Sequence, residues 1–376
     1  MLFIWLIVLG YVTLMLVYKK GWHMQDDFVI HENYLPQTAI TVIIPARNEE
    51  NSISKCVQSI LDNDYPEGLF EIIVMDDHSS DNTVDLVKGF NRDNVRCLRL
   101  ADFLKEGEQL NSYKKKGIEI AIAYSTGELI ITTDADCIVP EHWLRNMASM
   151  FEKEKSVMIV APVAFTSDGS LLQAFQSIDF MTMQGITAAA HRLKLGNMSN
   201  GANLAYSKEA FYKVEGFKGA DHLASGDDYL LMVKMQKEFS GKIAYLKSQD
   251  SIVETTPQPD WKGFLNQRIR WASKTGKYDD KKLTAILMLV YLFNLSFLIL
   301  LIAGFGNSLF WILGIGFLLI KISAELFFLI PVAAFFNKKR ELFWFPFLQP
   351  MHIVYIIISG FLGFIGVYQW KGRRVK

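Results

Sequence analysis

Five short stretches of this sequence bring carboxylates and cations together in a regular order. They are TVIIPARNEE at 41–50, VMDDHSSDNT at 74–83, TTDADC at 132–137, SGDDYLL at 225–231 and QRIRW at 267–271. The first three follow or close apolar runs, where the ends of parallel strands present ligand-binding groups. Acids at several such ends, with lysine and arginine between them, suit a pocket for a divalent cation and a diphosphate.

Each motif also has a plainer reading. In an extended Asp134-Ala135-Asp136 the two carboxylates point the same way. Hard oxygen ligands of this kind suit Mg²⁺ or Mn²⁺, and a solvated loop after a strand is the alternative. Asp76 and Asp77 end a strand, and Ser79-Ser80-Asp81 can cap the next helix, with Asp81 expected to do only that. Glu49 and Glu50 complement a helix N-terminus after Pro45 and Arg47. Lys114-Lys115-Lys116-Gly117 is either a solvated face or a diphosphate contact. Gly226-Asp227-Asp228-Tyr229 starts an apolar-periodic helix and would pass for an N-cap pair if it stood alone. In QRIRW, Arg270 can neutralise a diphosphate and Trp271 offers an aromatic face to a ring. The competing reading is an amphipathic helix with its tryptophan at a membrane surface.

The elements that must position these residues alternate. Apolar β-rich runs at 39–45, 70–75, 95–100 and 128–134 are separated by helical segments: Asn48 to about 62, Asp81 to about 90, and about 112–125. That repetition predicts a parallel, doubly wound sheet. After Pro140 the alternation weakens. A strand near 157–163, a helix near 170–190, a β-like piece near 202–206 and helices near 227–239 and 260–275 follow. No internal repeat, G-x-G-x-x-G or G-x-x-x-x-G-K-[ST] motif is found, so dinucleotide and P-loop chemistry lack support.

The 376 residues carry 39 basic and 39 acidic side chains and no net charge, which argues against a nucleic-acid binder. Hydrophobic residues make up 51% and crowd into 2–18 and the region beyond 283. Residues 2–18 lack charge and precede Lys19 and Lys20. No basic residue leads them and no small-residue cleavage site follows, so an uncleaved anchor with the next domain in the cytoplasm is expected. Further apolar stretches cover about 284–303, 308–336 and 342–368. Lys274, Lys277, Lys281 and Lys282 precede the first, and Lys338, Lys339 and Arg340 follow the second, as in a hairpin returning inside. The third holds Pro346 and Pro350 and ends in the basic Trp370-Lys371-Gly372-Arg373-Arg374. Either it re-enters or lies partly in the interface, or the charge rule is broken there; the prolines favour an interfacial start. Cys56, Cys97 and Cys137 are too scattered for a disulfide framework or zinc site and fit a reducing compartment. Lys321 and Glu325, at i and i+4 in an apolar stretch, can pair.

The ordered set of motifs resembles the family 2 glycosyltransferases, over roughly residues 38–275 and more loosely through the apolar tail. QRIRW is similar to the Q-[QR]-x-R-W pattern of the cellulose, hyaluronan and chitin synthase branch. The resemblance implies a GT-A, Rossmann-like catalytic domain at 38–275, an anchor at 1–20 and a transmembrane region at 283–370. It implies Pro45, Arg47, Glu49 and Asp77 as nucleoside contacts, with His78 standing where a glycine is typical. Lys114 or Lys115, with Gln267 and Arg268, would meet the nucleotide sugar. Asp136, assisted by Asp134, would hold Mg²⁺ or Mn²⁺. Gly201 and Asn203 would line the donor-sugar and acceptor loop. Asp228 would be the general base, with Asp227 at a position commonly glutamate, and Arg270 and Trp271 would complete the catalytic set.

The function so implied is inverting transfer from a nucleoside diphosphate sugar, uridine being the common base, to a lipid or glycan at the cytoplasmic face of a bacterial inner membrane. A second copy or an envelope-biosynthesis partner is a further expectation. A processive polysaccharide synthase is the alternative that QRIRW favours, and the sparse apolar tail speaks against it. A transporter or scaffold with an inactive transferase-like domain is the alternative of another class.

Overall fold

The computed structural model describes residues 2–31, 33–105, 108, 110–196, 198–219, 226–273, 280–365, 368–370 and 373–375. The flanking Lys274, Lys277, Lys371 and Gly372 lie outside the described residues. In chain order the elements begin with α1 (Leu2–Met24), β1 (Ile40–Ala46), α2 (Ile53–Leu61), β2 (Phe70–Asp76), α3 (Thr83–Lys88) and β3 (Val95–Arg99). Next come α4 (Tyr113–Ala123), β4 (Leu129–Thr132), β5 (Cys137–Ile138), α5 (Trp143–Glu154), β6 (Met158–Val160) and β7 (Val163–Phe165). Then follow α6 (Leu171–Leu193), β8 (Leu204–Ser207), α7 (Lys208–Lys213), α8 (Asp227–Glu238), β9 (Ile243–Tyr245) and β10 (Val253–Thr255). The chain closes with α9 (Trp261–Ala272), α10 (Lys281–Gly304), α11 (Leu309–Phe335), α12 (Phe345–Ile365) and the hairpin β11 (Tyr368–Trp370) and β12 (Arg373–Val375).

These elements form two compact units, Asp26–Ala164 with Asn197–Thr256, and Met1–Gln25 with Phe165–Gly196 and Pro257–Lys376. The first is a mixed α/β unit around a seven-stranded sheet of order β3-β2-β1-β4-β8-β6-β9. β1 pairs in parallel with β2 and β4, and β2 with β3. β8 runs antiparallel to β4 and β6, while β6 and β9 are parallel. The sheet is therefore mostly parallel, with one reversed strand inserted beside β4. Val42, Ile43 and Ile44 of β1 are fully buried, as a central strand covered on both faces requires.

Pro45 lies inside β1, which runs one residue past it. A proline lacks the N–H that a central ladder needs, but pairing to β4 stops at Ile43↔Thr132, so Pro45 sits beyond that neighbour. The helices after β1 and β2 start later than the sequence predicts. α2 has Ser52 as its N-cap, and Asn48 instead adopts φ 54°. α3 has Asn82 as its N-cap. The residues between strand and helix serve to tie the two loops together. Asn48 Oδ1 accepts from the Ser80 N–H at 2.8 Å, and the Glu50 N–H donates to Asp81 Oδ2 at 3.1 Å. The expected strand near 157–163 is broken into β6 and β7, and β7 joins the small sheet β5-β10-β7.

The second unit contains four helices long and apolar enough to cross a membrane: α1, α10, α11 and α12. α1 packs on α6, α11 and α10, and α9 packs on α12. Close approach depends on glycine: a Cβ at Gly21 of α1 would stand 2.8 Å from the Ala189 carbonyl of α6. α12 runs from Phe345 through both prolines. Pro346 occupies its first turn, where the missing N–H costs nothing. Pro350 lies inside the helix and removes one hydrogen bond without ending it.

Candidate active site

In the α/β unit, the ends of β1, β2 and β4 and the start of α8 supply the polar groups. Asp77 directly follows β2 and meets Arg47 (Nη1 to Oδ1, 3.6 Å) and His78 (Nδ1 to Oδ1, 2.9 Å). Burial raises the Asp77 carboxyl above its usual range, and His78 and Arg47 oppose that rise. His78 adopts φ 56°, so the turn keeps the left-handed geometry that a glycine would supply. Histidine is among the residues that tolerate it. The Glu49 N–H donates to Thr83 Oγ1 at 2.8 Å, and its carboxylate accepts from Ser52 Oγ at 3.1 Å.

The second cluster centres on Lys114. Its ammonium lies 2.9 Å from Asp134 Oδ1, just past β4, and 3.9 Å from Asp227 Oδ2 at the start of α8. Burial would lower the pKa of Lys114, but Asp134, Asp227 and Asp228 outweigh it and hold the lysine above its ordinary value. Asp228 Oδ2 accepts from the Gly201 N–H at 3.2 Å, and Oδ1 from its own neighbour Tyr229 at 2.8 Å. Thr132 Oγ1 donates to the Gly201 carbonyl at 2.9 Å, which ties this loop to β4. Gly226, at φ 82°, makes the left-handed turn that starts α8; a side chain there would be strained. The structure thus brings together Lys114, Asp134, Gly201, Asp227 and Asp228 from four separate parts of the chain.

Asp134 and Asp136 are both partly exposed, flanking the buried Ala135. The buried Cys56 and Cys137 thiols are raised first by burial and then by the two aspartates, which lie near both. Among the described residues, no three His, Cys, Asp or Glu side chains form a complete metal cage. A pair of partly exposed carboxylates still suits Mg²⁺ or Mn²⁺, which take one or two protein carboxylates and complete their shell from phosphates and water.

Three expected residues sit differently from the sequence reading. Lys115 points into the fold at 2% exposure while Lys114 takes the acidic cluster. Asn203 is fully buried. Its amide donates to the Pro162 and Ser251 carbonyls (2.7 and 2.8 Å) and accepts from Trp143 Nε1 (2.9 Å), so it braces the loop from beneath. Arg268 belongs to the other unit and is 4% exposed. Its Nε donates to Asp179 Oδ2 at 2.8 Å, and its Nη1 to Gln267 Oε1 at 2.6 Å. Two of its three nitrogens are thus bonded within this unit, and Nη2 stands 2.7 Å from Asp179 Oδ2 as an ion pair. Trp271 packs beside it, 4.3 Å from the guanidinium carbon to the ring centroid. Arg270 and Trp271 are partly exposed on the same helix, α9. Sequence reasoning passes over Asp179, although an acid among apolar neighbours in mid-helix is a signal for a buried partner.

A family model described as Glycosyl transferase family 2 matches residues 41–214, and one described as Glycosyl transferase family group 2 matches residues 129–363. The second spans more than half of the chain, which therefore belongs to the family 2 glycosyltransferases. It is 28% identical over 191 residues to Glycosyltransferase AglE of Haloferax volcanii, covering 50% of this chain and 58% of that protein. It is 28% identical over 152 residues to the beta-monoglucosyldiacylglycerol synthase of Trichormus variabilis, covering 39% of this chain and 30% of that protein. Both alignments take in less than two thirds of the relative's length. Among solved structures, Mannosyltransferase PcManGT from Pyrobaculum calidifontis, in complex with GDP-Man and Mn²⁺, superposes with a TM-score of 0.55 at 18% identity over 95% of each chain. The shared fold is the GT-A arrangement.

Proposed function

We propose that this chain is an inverting, metal-dependent hexosyltransferase that moves a sugar from a nucleoside diphosphate to a lipid or glycan acceptor. The observation that carries the proposal is the convergence of Lys114, Asp134, Asp227, Asp228 and Gly201 in one acidic cluster with a single lysine at 2.9 and 3.9 Å from two of its acids. Sugar transfer needs a base for the acceptor hydroxyl and positive charge for the departing diphosphate. Asp228 is the base in this reading. Its anchored carboxylate, held by the Gly201 N–H, takes the acceptor proton as that oxygen attacks the anomeric carbon and the diphosphate leaves. Lys114, freed from Asp134 by the incoming donor, neutralises the phosphates. A divalent cation held by Asp136 and Asp134 would supply further charge for the leaving group. Pro45, Arg47, Glu49 and Asp77 hold the nucleoside, and Arg270 and Trp271 serve the diphosphate and sugar.

The base is taken as uridine from the family resemblance; PcManGT binds a guanosine donor. Residues 38–275 carry the chemistry in this account, flanked by an anchor at 1–20 and a membrane region at 283–370. Lys19, Lys20, Lys281 and Lys282 favour a cytoplasmic position for it. QRIRW supports a second reading, a processive synthase, and the length of product made from radiolabelled donor separates the two. The test of the function itself is a panel of nucleotide sugars offered with Mn²⁺ to the purified protein. A raised melting temperature with release of nucleoside diphosphate for one donor is expected. Failure of every donor to bind would favour a scaffold with an inactive transferase fold.

A further inference from the structure

The apolar unit encloses a row of polar side chains, hydrogen-bonded on either side of His352, that ends at the QRIRW helix. At one end, Lys321 of α11 is fully buried and donates to Glu325 Oε1 (2.6 Å) and Gln349 Oε1 (2.7 Å). Gln349 Nε2 returns a bond to Glu325 Oε2 at 2.8 Å, and the Tyr11 hydroxyl of α1 donates to Glu325. Lys321 Nζ also lies 3.5 Å from His352 Nδ1 on α12. The other imidazole nitrogen of His352 is 3.9 Å from Asp179 Oδ1 of α6. Asp179 accepts from the Tyr355 hydroxyl and, through Oδ2, from Arg268 Nε of α9 at 2.8 Å, with Arg268 Nη2 in ion-pair contact at 2.7 Å. Arg268 finally lies against Phe264 and Trp271, with 4.6 and 4.3 Å between its guanidinium carbon and the two ring centroids.

Charges in such a setting are expensive, and mutual pairing seldom yields net stability over apolar packing. What they supply is direction, because an arginine held by a buried carboxylate constrains the helix that carries it. Five helices (α1, α6, α9, α11 and α12) contribute to this one chain.

We infer that Asp179 and His352 are positioning residues for the transfer reaction. Asp179 sets the Arg268 guanidinium under the Trp271 ring, and His352 joins Asp179 to the Lys321–Glu325 pair, so the membrane-length helices fix where Arg270 and Trp271 stand. This rests on the reading that Arg270 and Trp271 serve the diphosphate and sugar.

The test compares Asp179→Asn, His352→Gln, Trp271→Ala and the double variant Asp179→Asn/Trp271→Ala in detergent, with melting temperature and donor KM alongside kcat. His352→Gln leaves Arg268 paired with Asp179 and Lys321 paired with Glu325, so it tests the link even if Asp179→Asn fails to fold. Misplacement by about 1 Å can cost roughly 100-fold in rate, so kcat should fall at least about tenfold in Asp179→Asn and several-fold in His352→Gln, with donor KM within about twofold. Residues acting through one another are non-additive, so the double variant should lose no more than about twofold beyond Trp271→Ala. Wild-type kcat in folded His352→Gln, or additive losses in the double variant, overturns the inference. If Trp271→Ala and Arg270→Lys are themselves fully active, the reading of QRIRW fails first.

Discussion

The Lys114 ammonium lies 2.9 Å from the Asp134 carboxylate and so joins α4 to the end of β4. A lysine spent on one acid inside a cluster of acids becomes available once a phosphate offers it a better partner. Lys114→Met should therefore weaken binding of the nucleotide sugar by about 10- to 100-fold, since each such charge-assisted contact is worth roughly 1.5–3 kcal/mol. Lys115→Met should leave donor affinity within about twofold and change the melting temperature instead, because that side chain is 2% exposed. Isothermal titration with donor on both variants checks the assignment, and equal losses would refute it.

Gly201 stands where a single methyl group can report on the site. A Cβ built there would lie 3.8 Å from Lys114 Nζ and from Asp227 Oδ2, and 3.9 Å from Asp228 Cβ. These are ordinary contact distances and its φ is not positive, so Gly201→Ala should fold with a melting temperature close to wild type. The methyl would nevertheless occupy space between the proposed base and the lysine. Steady-state kinetics should show kcat/KM down by about tenfold or more, the scale of a small misplacement at a reacting centre. Unchanged kinetics would place the sugar elsewhere.

The sheet has its own pH signature. Burial tends to raise the Glu71 carboxyl, but the Thr126 N–H, the Thr41 and Thr126 hydroxyls and Arg96 bring it below its ordinary value. A carboxylate depressed on folding contributes stability that is present above its unfolded pKa and lost as pH falls through the folded one. Glu71→Gln should melt earlier at pH 7 by an amount corresponding to about 1–2 kcal/mol, the scale of lost charged hydrogen bonds reduced for partial solvent exposure. It should also lose part of the wild type's decline below about pH 4, where carboxylates protonate. Melting curves from pH 3 to pH 7 check both points, and parallel curves for the two proteins would contradict them.

The sequence makes one half of the sheet visible and conceals the other, for physical reasons. β1 and β2 are largely apolar runs of seven residues and β3 a five-residue β-rich run, each followed by a helical segment, so length and spacing identify them. β6, β7 and β9 are three residues each, too short to show a period, and the reversal of β8 depends on pairing rather than on local pattern. Motif matching likewise names residue types without their side-chain directions. Arg268 belongs with a binding motif by type, yet Phe264, Arg268 and Trp271 are spaced four and three apart on one helix face, which signals mutual packing. Lys114 and Lys115 differ by one helical step, and only the fold decides which one meets the acids.

In the proposed reaction Asp228 takes the proton from the acceptor. The deciding measurement is the rate of nucleoside diphosphate release from the identified donor, with Mn²⁺ and a lipid extract, for wild type and Asp228→Asn. The substitution should lower kcat by about 100-fold or more, the scale of removing a general base, with donor affinity retained. Turnover at the wild-type rate by folded Asp228→Asn would contradict it.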